Sequence, residues 1–268
     1  MVANLLISAS IVGGLGLLFG LGLSVASKVF EVKVDEKVTK IREILPGANC
    51  GACGQTGCDA FAECLVEGKC DISGCPVAGD ELVEELGEIL GIEAGSTVAK
   101  TARVMCSGTY DNCKQKFDYS GVEDCVAAAN LYGGPPACTY GCVGLGNCVR
   151  ACPFDAIVMV DGLARIIESK CKSCEKCVVA CPKNIIEMVP KCNEYTVTCK
   201  SLDKGAVVRK NCSVGCIGCR KCSKVCPVDA ISFEGTLAKI NPDICTNCGE
   251  CMKACPVNSI KRHKCELV

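Results

Sequence analysis

Fourteen of this chain's cysteines form two sets of seven at one fixed offset, and no other feature restricts its folding as much. Cys142, Cys148, Cys152, Cys171, Cys174, Cys177 and Cys181 each have a counterpart 74 residues on, at Cys216, Cys222, Cys226, Cys245, Cys248, Cys251 and Cys255. The neighbours keep the same offset. Pro153-Phe154-Asp155-Ala156-Ile157 matches Pro227-Val228-Asp229-Ala230-Ile231, and Leu163-Ala164-Arg165-Ile166 matches Leu237-Ala238-Lys239-Ile240. Agreement over that length is a duplication. Cysteine makes up 29 of 268 residues, and such density means either a disulfide scaffold or metal ligation. Most of these thiols stand in Cys-x-x-Cys runs, too close together for useful loop-closing crosslinks, and their number is odd. Metal ligation is the better account.

Each copy carries the run Cys-x2-Cys-x2-Cys-x3-Cys-Pro, or most of it, twice. This is the two-cluster bacterial ferredoxin pattern, in which the fourth cysteine of each run binds the other cluster. In the second copy Cys216, Cys219, Cys222 and Cys255 are expected to hold one [4Fe–4S] cluster, and Cys245, Cys248, Cys251 and Cys226 its partner. In the first copy Cys171, Cys174, Cys177 and Cys152 form the regular site. The remaining site breaks the rule, because Leu145 stands where Cys219 stands in the second copy. Cys138, four residues before Cys142, is the expected replacement, giving Cys138, Cys142, Cys148 and Cys181. A three-iron cluster lacking the fourth ligand is the alternative. Asp161-Gly162 and Glu234-Gly235 lie between short apolar runs and predict tight hairpin turns.

A further site precedes the repeat. Cys50-Gly51-Ala52-Cys53-Gly54-Gln55-Thr56-Gly57-Cys58, with Cys75-Pro76 beyond, supplies four thiolates for one more cluster. Structural zinc also takes four thiolates but has no redox chemistry, and the runs downstream argue against it. Cys64 or Cys70 could stand in for Cys75. Helical spacing is expected before the site (Val38, Ile41, Ile44, Leu45) and after it (Leu82, Val83, Leu86, Ile89, Leu90).

Residues 1–27 carry no charged side chain, and some 23 apolar residues at about 1.5 Å each are long enough to cross a bilayer. A cleaved signal peptide is the rival reading, but the segment lacks a basic start. Lys28, Lys33, Lys37, Lys40 and Arg42 follow it closely, which predicts a single-pass anchor in the cell (inner) membrane with the body on the cytoplasmic side. Gly16-x-x-x-Gly20-x-x-x-Ser24 suits close approach by another transmembrane helix.

The expected fold is α+β: a transmembrane anchor (1–27), a single-cluster domain with flanking helices (28–100), a connector (101–130), a first ferredoxin module (131–190), a connector (191–211) and a second module (212–268). About five [4Fe–4S] clusters account for twenty cysteines, with no catalytic residue. Cys64, Cys70, Cys106, Cys113, Cys125, Cys192, Cys199, Cys212 and Cys265 are left over, and free buried thiols are the default for them. Cys125 and Cys199 obey the 74-residue offset. His263, the single histidine, is expected on the surface. A net charge of −1 gives no support for nucleic-acid binding.

The glycine-rich N-terminal helix, the Cys-Gly-x-Cys-Gly-x-x-Gly-Cys domain and the tandem ferredoxin motifs, in this order, resemble the iron–sulfur B subunit of the Rnf complex, an ion-translocating ferredoxin:NAD oxidoreductase of membranes. The resemblance covers the whole chain. It implies an electron carrier that takes electrons from reduced soluble ferredoxin, or returns them, and relays them to membrane partners. Flavin-bearing subunits elsewhere in such a complex reduce NAD and move Na+ or H+. This chain has no Gly-x-Gly-x-x-Gly run or flavin motif and is expected to bind neither NAD nor flavin. A membrane-attached polyferredoxin serving another redox enzyme is the alternative.

Overall fold

The structure, a computed structural model, describes residues 2–29, 35–92 and 99–263, with residues 2–12, 29 and 80 as backbone only. Lys33 and Cys265 lie outside the described residues. Helix α1 runs Val2–Val29. From Gly13 on, where its side chains are described, Leu17, Leu18, Phe19, Leu21 and Leu23 are all exposed, and among the described residues nothing lies within 4 Å of where a Cβ on Gly16 or Gly20 would stand. Among the described residues no helix is long and apolar enough to cross a membrane.

The first small domain is helical. Asp35 caps α2 (Glu36–Ile44) by accepting from the Lys37 amide. The chain continues through α3 (Cys58–Val66), a 3-10 turn at Ile72–Gly74, and α4 (Asp80–Leu90). Gly91, in the left-handed region at φ 71°, ends α4. Both amphipathic patterns seen in the sequence point inward. Ile41 and Leu45 meet Phe61, Leu65, Val83 and Leu86 in one core, with Val38, Ile44, Leu82, Ile89 and Leu90 packed around it. Cys64 and Cys70 are joined in a disulfide at the end of α3, so these two are not the free thiols expected.

The two ferredoxin modules repeat one plan, and each is closed by a strand from upstream. In the first, β1 (Lys100–Val104) precedes two short helices, α5 (Cys125–Asn130) and α6 (Asn147–Ala151). A hairpin of β2 (Ile157–Val160) and β3 (Leu163–Ile166) follows, then α7 (Lys176–Val179) and β4 (Ile186–Pro190). Strand β1 pairs antiparallel with β4, Val104 opposite Ile186. The first module's sheet therefore uses residues well upstream of 131. In the second, β5 (Tyr195–Val197) is followed by α8 (Gly205–Asn211), α9 (Lys221–Lys224), the hairpin β6 (Ile231–Glu234) and β7 (Leu237–Ile240), α10 (Glu250–Ala254) and β8 (Ile260–Arg262). Here β5 pairs with β8.

The hairpin turns differ from each other. Val160 pairs with Leu163, leaving Asp161 and Gly162 in the turn with φ of 50° and 73°, the two positive values of a type I′ turn. In the second module Glu234 pairs with Leu237, so the turn is Gly235-Thr236 and not the expected Glu234-Gly235. Only Gly235 has positive φ there, which suits a II′ turn with glycine first.

A buried charge ties the modules together. Arg103 on β1 is 2% exposed, donates to the Asn193 carbonyl ahead of β5, and pairs with Glu168 at 3.3 Å. Glu168 also lies 3.3 Å from Nδ1 of His263, whose Nε2 is 2.9 Å from Thr196 on β5. His263 is thus half-buried in a polar tie. Burial acts to raise the Glu168 carboxyl, but His263 and Arg103 outweigh it and leave the pKa below its usual value. Glu168→Gln strands the Arg103 guanidinium without a counter-charge and is expected to cost about 3 kcal/mol. Arg103→Met, which leaves a half-buried carboxylate facing His263, should cost less. The midpoint of denaturant-driven loss of cluster absorbance, followed without oxygen, checks this order. Equal midpoints would show that the buried charge does not hold the modules together.

Candidate metal centres

Sulfur gathers in cavities between the short helices and hairpins. In the first module one cavity of about 330 Å³ is lined by Cys152, Cys171, Cys174 and Cys177, together with Ala102, Ile157 and Ile166 from the sheet. These are the four residues expected for the regular site. Burial pushes the Cys177 thiol up to about 12, and Cys171, Cys174 and Cys152 push the same way. Four thiolates this close and this buried repel one another, and the charge of bound iron is what offsets them.

At the irregular site the structure groups a thiol other than Cys138 with Cys148 and Cys181. Cys142, Cys148 and Cys181 share a cavity of about 370 Å³ with Cys125. Cys138 does not line it. Cys125 opens α5, whose N-cap Asp124 accepts from the Val126 and Ala127 amides at 2.8 Å. Asn147 joins this cap to α6, donating to Asp124 at 2.7 Å and accepting from the Cys125 amide at 2.8 Å. Cys125 is thereby fixed beside Cys148, whose thiol burial raises to about 12, with Cys142, Cys125 and Cys181 adding to it. Leu145, at the vacant ligand position, packs on the Cys125, Ala128 and Val143 cluster. The missing ligand at Leu145 was the signal that a thiol must come from elsewhere; no spacing in the sequence pointed to Cys125.

In the second module Cys222 and Cys251 are buried in the core, with Cys216, Cys226 and Cys255 packed against it. Burial raises the Cys222 thiol to about 11, and Cys216, Cys219 and Cys255 add to it. Cys251 is raised to about 11 in the same way, with Cys245 the largest neighbour. Backbone amides already point at sulfur: Ala230 N–H donates to Cys226 at 3.4 Å, and Ser259 N–H donates to Cys255 at 3.3 Å. Such N–H to sulfur bonds are a means by which a protein sets cluster potential. Cys219 and Cys248 are exposed.

In the first domain Cys53, Cys58 and Cys75 pack on the helical core. Gly51 and Gly54 hold φ of 74° and 80°, a backbone that lets the Cys50–Cys58 loop fold back on itself. Asn49 accepts from the Cys58 amide at 2.8 Å and so starts α3 at a ligand. Burial raises Cys75, and Cys53 and Cys50 raise it further, which brings three of the four expected ligands together. Cys50 also acts on Cys174 of the first module, whose thiol burial raises. Among the described residues no three or more His, Cys, Asp and Glu side chains close around a single metal ion. The cysteines converge on cavities instead, and four thiolates around a cavity suit a four-iron cluster.

Comparison with known proteins agrees with this arrangement. A family model for an Fe-S cluster matches residues 45–77, a 4Fe-4S binding domain model matches 164–187, and a 4Fe-4S dicluster domain model matches 215–259. The chain is 47% identical to the B subunit of the Na(+)-translocating ferredoxin:NAD(+) oxidoreductase complex of Acetobacterium woodii, over 91% of this chain and 74% of that protein. It is 40% identical to the B subunit of the ion-translocating oxidoreductase complex of Methanosarcina acetivorans, over 92% of this chain and 94% of that protein. Against the B subunit of the proton-translocating ferredoxin:NAD(+) oxidoreductase complex of Clostridium ljungdahlii it is 41% identical, over 86% of this chain and 82% of that protein. With its sulfur-lined cavities and these relatives along nearly all its length, the chain belongs to the family of B subunits of ion-translocating oxidoreductase complexes, the Rnf family.

Proposed function

We propose that the chain is the electron-transfer subunit of a membrane-bound ferredoxin:NAD oxidoreductase complex that drives Na+ or H+ transport, and that it relays electrons through its [4Fe–4S] clusters without itself binding NAD or flavin. The observation that carries this reading is the continuity of the sulfur sites. Cys50 of the first domain lies near enough to Cys174 of the first module for its charge to act on that thiol, and that module's two cavities lie against one core. Outer-sphere hopping needs only such proximity, and each potential is set by hydrogen bonds to sulfur, burial and nearby charge.

Five clusters follow from the sites above, held by Cys50, Cys53, Cys58 and Cys75; by Cys152, Cys171, Cys174 and Cys177; by Cys142, Cys148, Cys181 and Cys125; by Cys216, Cys219, Cys222 and Cys255; and by Cys226, Cys245, Cys248 and Cys251. Soluble ferredoxin docks at the second module. There Cys219 and Cys248 are exposed beside exposed Arg220, Lys221, Lys224 and Lys253, a cationic rim suited to an acidic carrier. The Cys50–Cys75 cluster is the exit, held near the membrane by α1. The uncharged residues 2–27 of α1 and its exposed leucines support a single-pass anchor packed against integral membrane subunits, with the cluster domains on the cytoplasmic side.

The test uses the full-length chain purified in detergent without oxygen. Reduced ferredoxin should bleach its visible absorbance, and the chain should co-purify with flavin-bearing membrane subunits. Stoichiometric zinc in place of iron, or co-purification with a hydrogenase in place of flavin subunits, would overturn the reading.

A further inference from the structure

Between the two modules lies a third sulfur-lined cavity, of about 520 Å³, larger than the 330 and 370 Å³ of the two cluster cavities in the first module. Cys106, Cys113, Cys138 and Cys212 line it, together with Cys142 and Cys199. Three of the four were left without a role by the sequence motifs, and Cys138 was released by Cys125.

We propose that Cys106, Cys113, Cys138 and Cys212 bind a sixth [4Fe–4S] cluster, which carries electrons between the two ferredoxin modules. The proposal rests on the electron-transfer reading above.

Four observations support it. The donor set is complete: four thiols from four separate stretches of chain line one cavity, where the regular sites take three from one run and one from another. Cys113 and Cys212, 99 residues apart in sequence, are joined in an isolated antiparallel bridge, and Lys114 N–H donates to the Asn211 carbonyl beside it at 3.0 Å. The interface between the modules is therefore built around these thiols. One of the sulfurs already accepts a backbone N–H bond, as Cys226 and Cys255 do: Gly108 donates to Cys106 at 3.4 Å. Finally, the wall is tight at Gly108. A Cβ on Gly108 would come within 3.2 Å of Cys113 Cβ and 3.6 Å of Cys106 Sγ.

The modules' own symmetry runs through the cavity. Cys138 and Cys212 are repeat-mates at the 74-residue offset, and Cys106 and Cys199 each stand two residues past the first strand of their module. The position is the one a relay requires. Cys142, which also lines it, is assigned above to a cluster of the first module, and Cys199, another lining residue, lies beside Cys216 of the second. One electron enters from one neighbouring cluster and one leaves to the other, with no bond made or broken in the protein.

Iron and acid-labile sulfide per full-length chain, purified in detergent without oxygen, with native mass spectrometry to count clusters, test the proposal. About 24 irons in six clusters are expected, falling to about 20 in the Cys113→Ser/Cys212→Ser variant. Five clusters in the wild type would overturn the proposal without touching the electron-transfer reading, and this holds even where the variant fails to fold. Six clusters in both proteins would overturn the assignment of the site. One zinc per chain, lost with the variant, would replace the cluster by a structural ion, and a Cys113–Cys212 disulfide in the anaerobic protein would likewise overturn it. Little iron and no reducible signal would instead sink the electron-transfer reading itself.

Discussion

Cys125→Ala is expected to remove or degrade one [4Fe–4S] cluster, lowering iron by between about one and four atoms per chain. A thiolate lost from a four-iron cluster leaves one iron without its protein ligand, so the product is either a three-iron cluster or an empty site. The side chain to watch is Cys125 because it shares the cavity of Cys142, Cys148 and Cys181, while Cys138 faces a different one. Mössbauer and low-temperature EPR spectra, compared with wild type at equal protein, provide the measurement. Were Cys138 the fourth ligand of this cluster, Cys125→Ala would leave iron and spectra unchanged. Removal of an ordinary buried thiol by alanine costs only the packing of one sulfur, and that loss moves a melting curve without moving the iron count.

Cys53→Ala should separate two activities that the wild type couples. In the assembled complex, reduced ferredoxin should still bleach most of the chain's absorbance, because the ferredoxin modules keep all their ligands. Ferredoxin-dependent NAD reduction should fall to background. The reason is distance: Cys50 is the thiol that approaches the first module at Cys174, so the first-domain cluster is the link between the modules and whatever lies beyond. A hop that skips a missing cluster slows exponentially with the added gap. Retention of both activities would place the exit elsewhere, at one of the module clusters. Loss of both would show that electrons enter through the first domain.

Much of this was legible from residue order alone, because the information is local. A Cys-x-x-Cys spacing places two thiolates on one tight loop whatever surrounds it, so ligand sets for the regular site of the first module and both sites of the second could be proposed residue by residue. The period of Ile41, Leu45, Leu82 and Leu86 placed the helices of the first domain for the same reason: a helix presents every third or fourth residue to one side. The duplication carried these readings from one module to the other, and the relatives along nearly the whole chain agree with the family that the order of motifs suggested.

What escaped the sequence lies between stretches far apart in it. Leu145 announced a missing ligand, but only the Asp124–Asn147 contact between α5 and α6 brings Cys125 to the cavity. The turn of the second hairpin moved by one residue because strand register, set by burial of Ile231 and Ala238 on one face, overrules the local preference of Glu234-Gly235. The strands that close the sheets, β1 and β5, lie upstream of the motifs and carry no cysteine signature. Spacing within the chain therefore sets which thiols can share a loop, and with it the chemistry and the family. Which thiols share a cavity is set by docking of the modules across the Arg103–Asn193 and Glu168–His263 contacts and the Cys113–Cys212 bridge, since contacts at a separation of 99 residues leave no periodic trace in the order of residues.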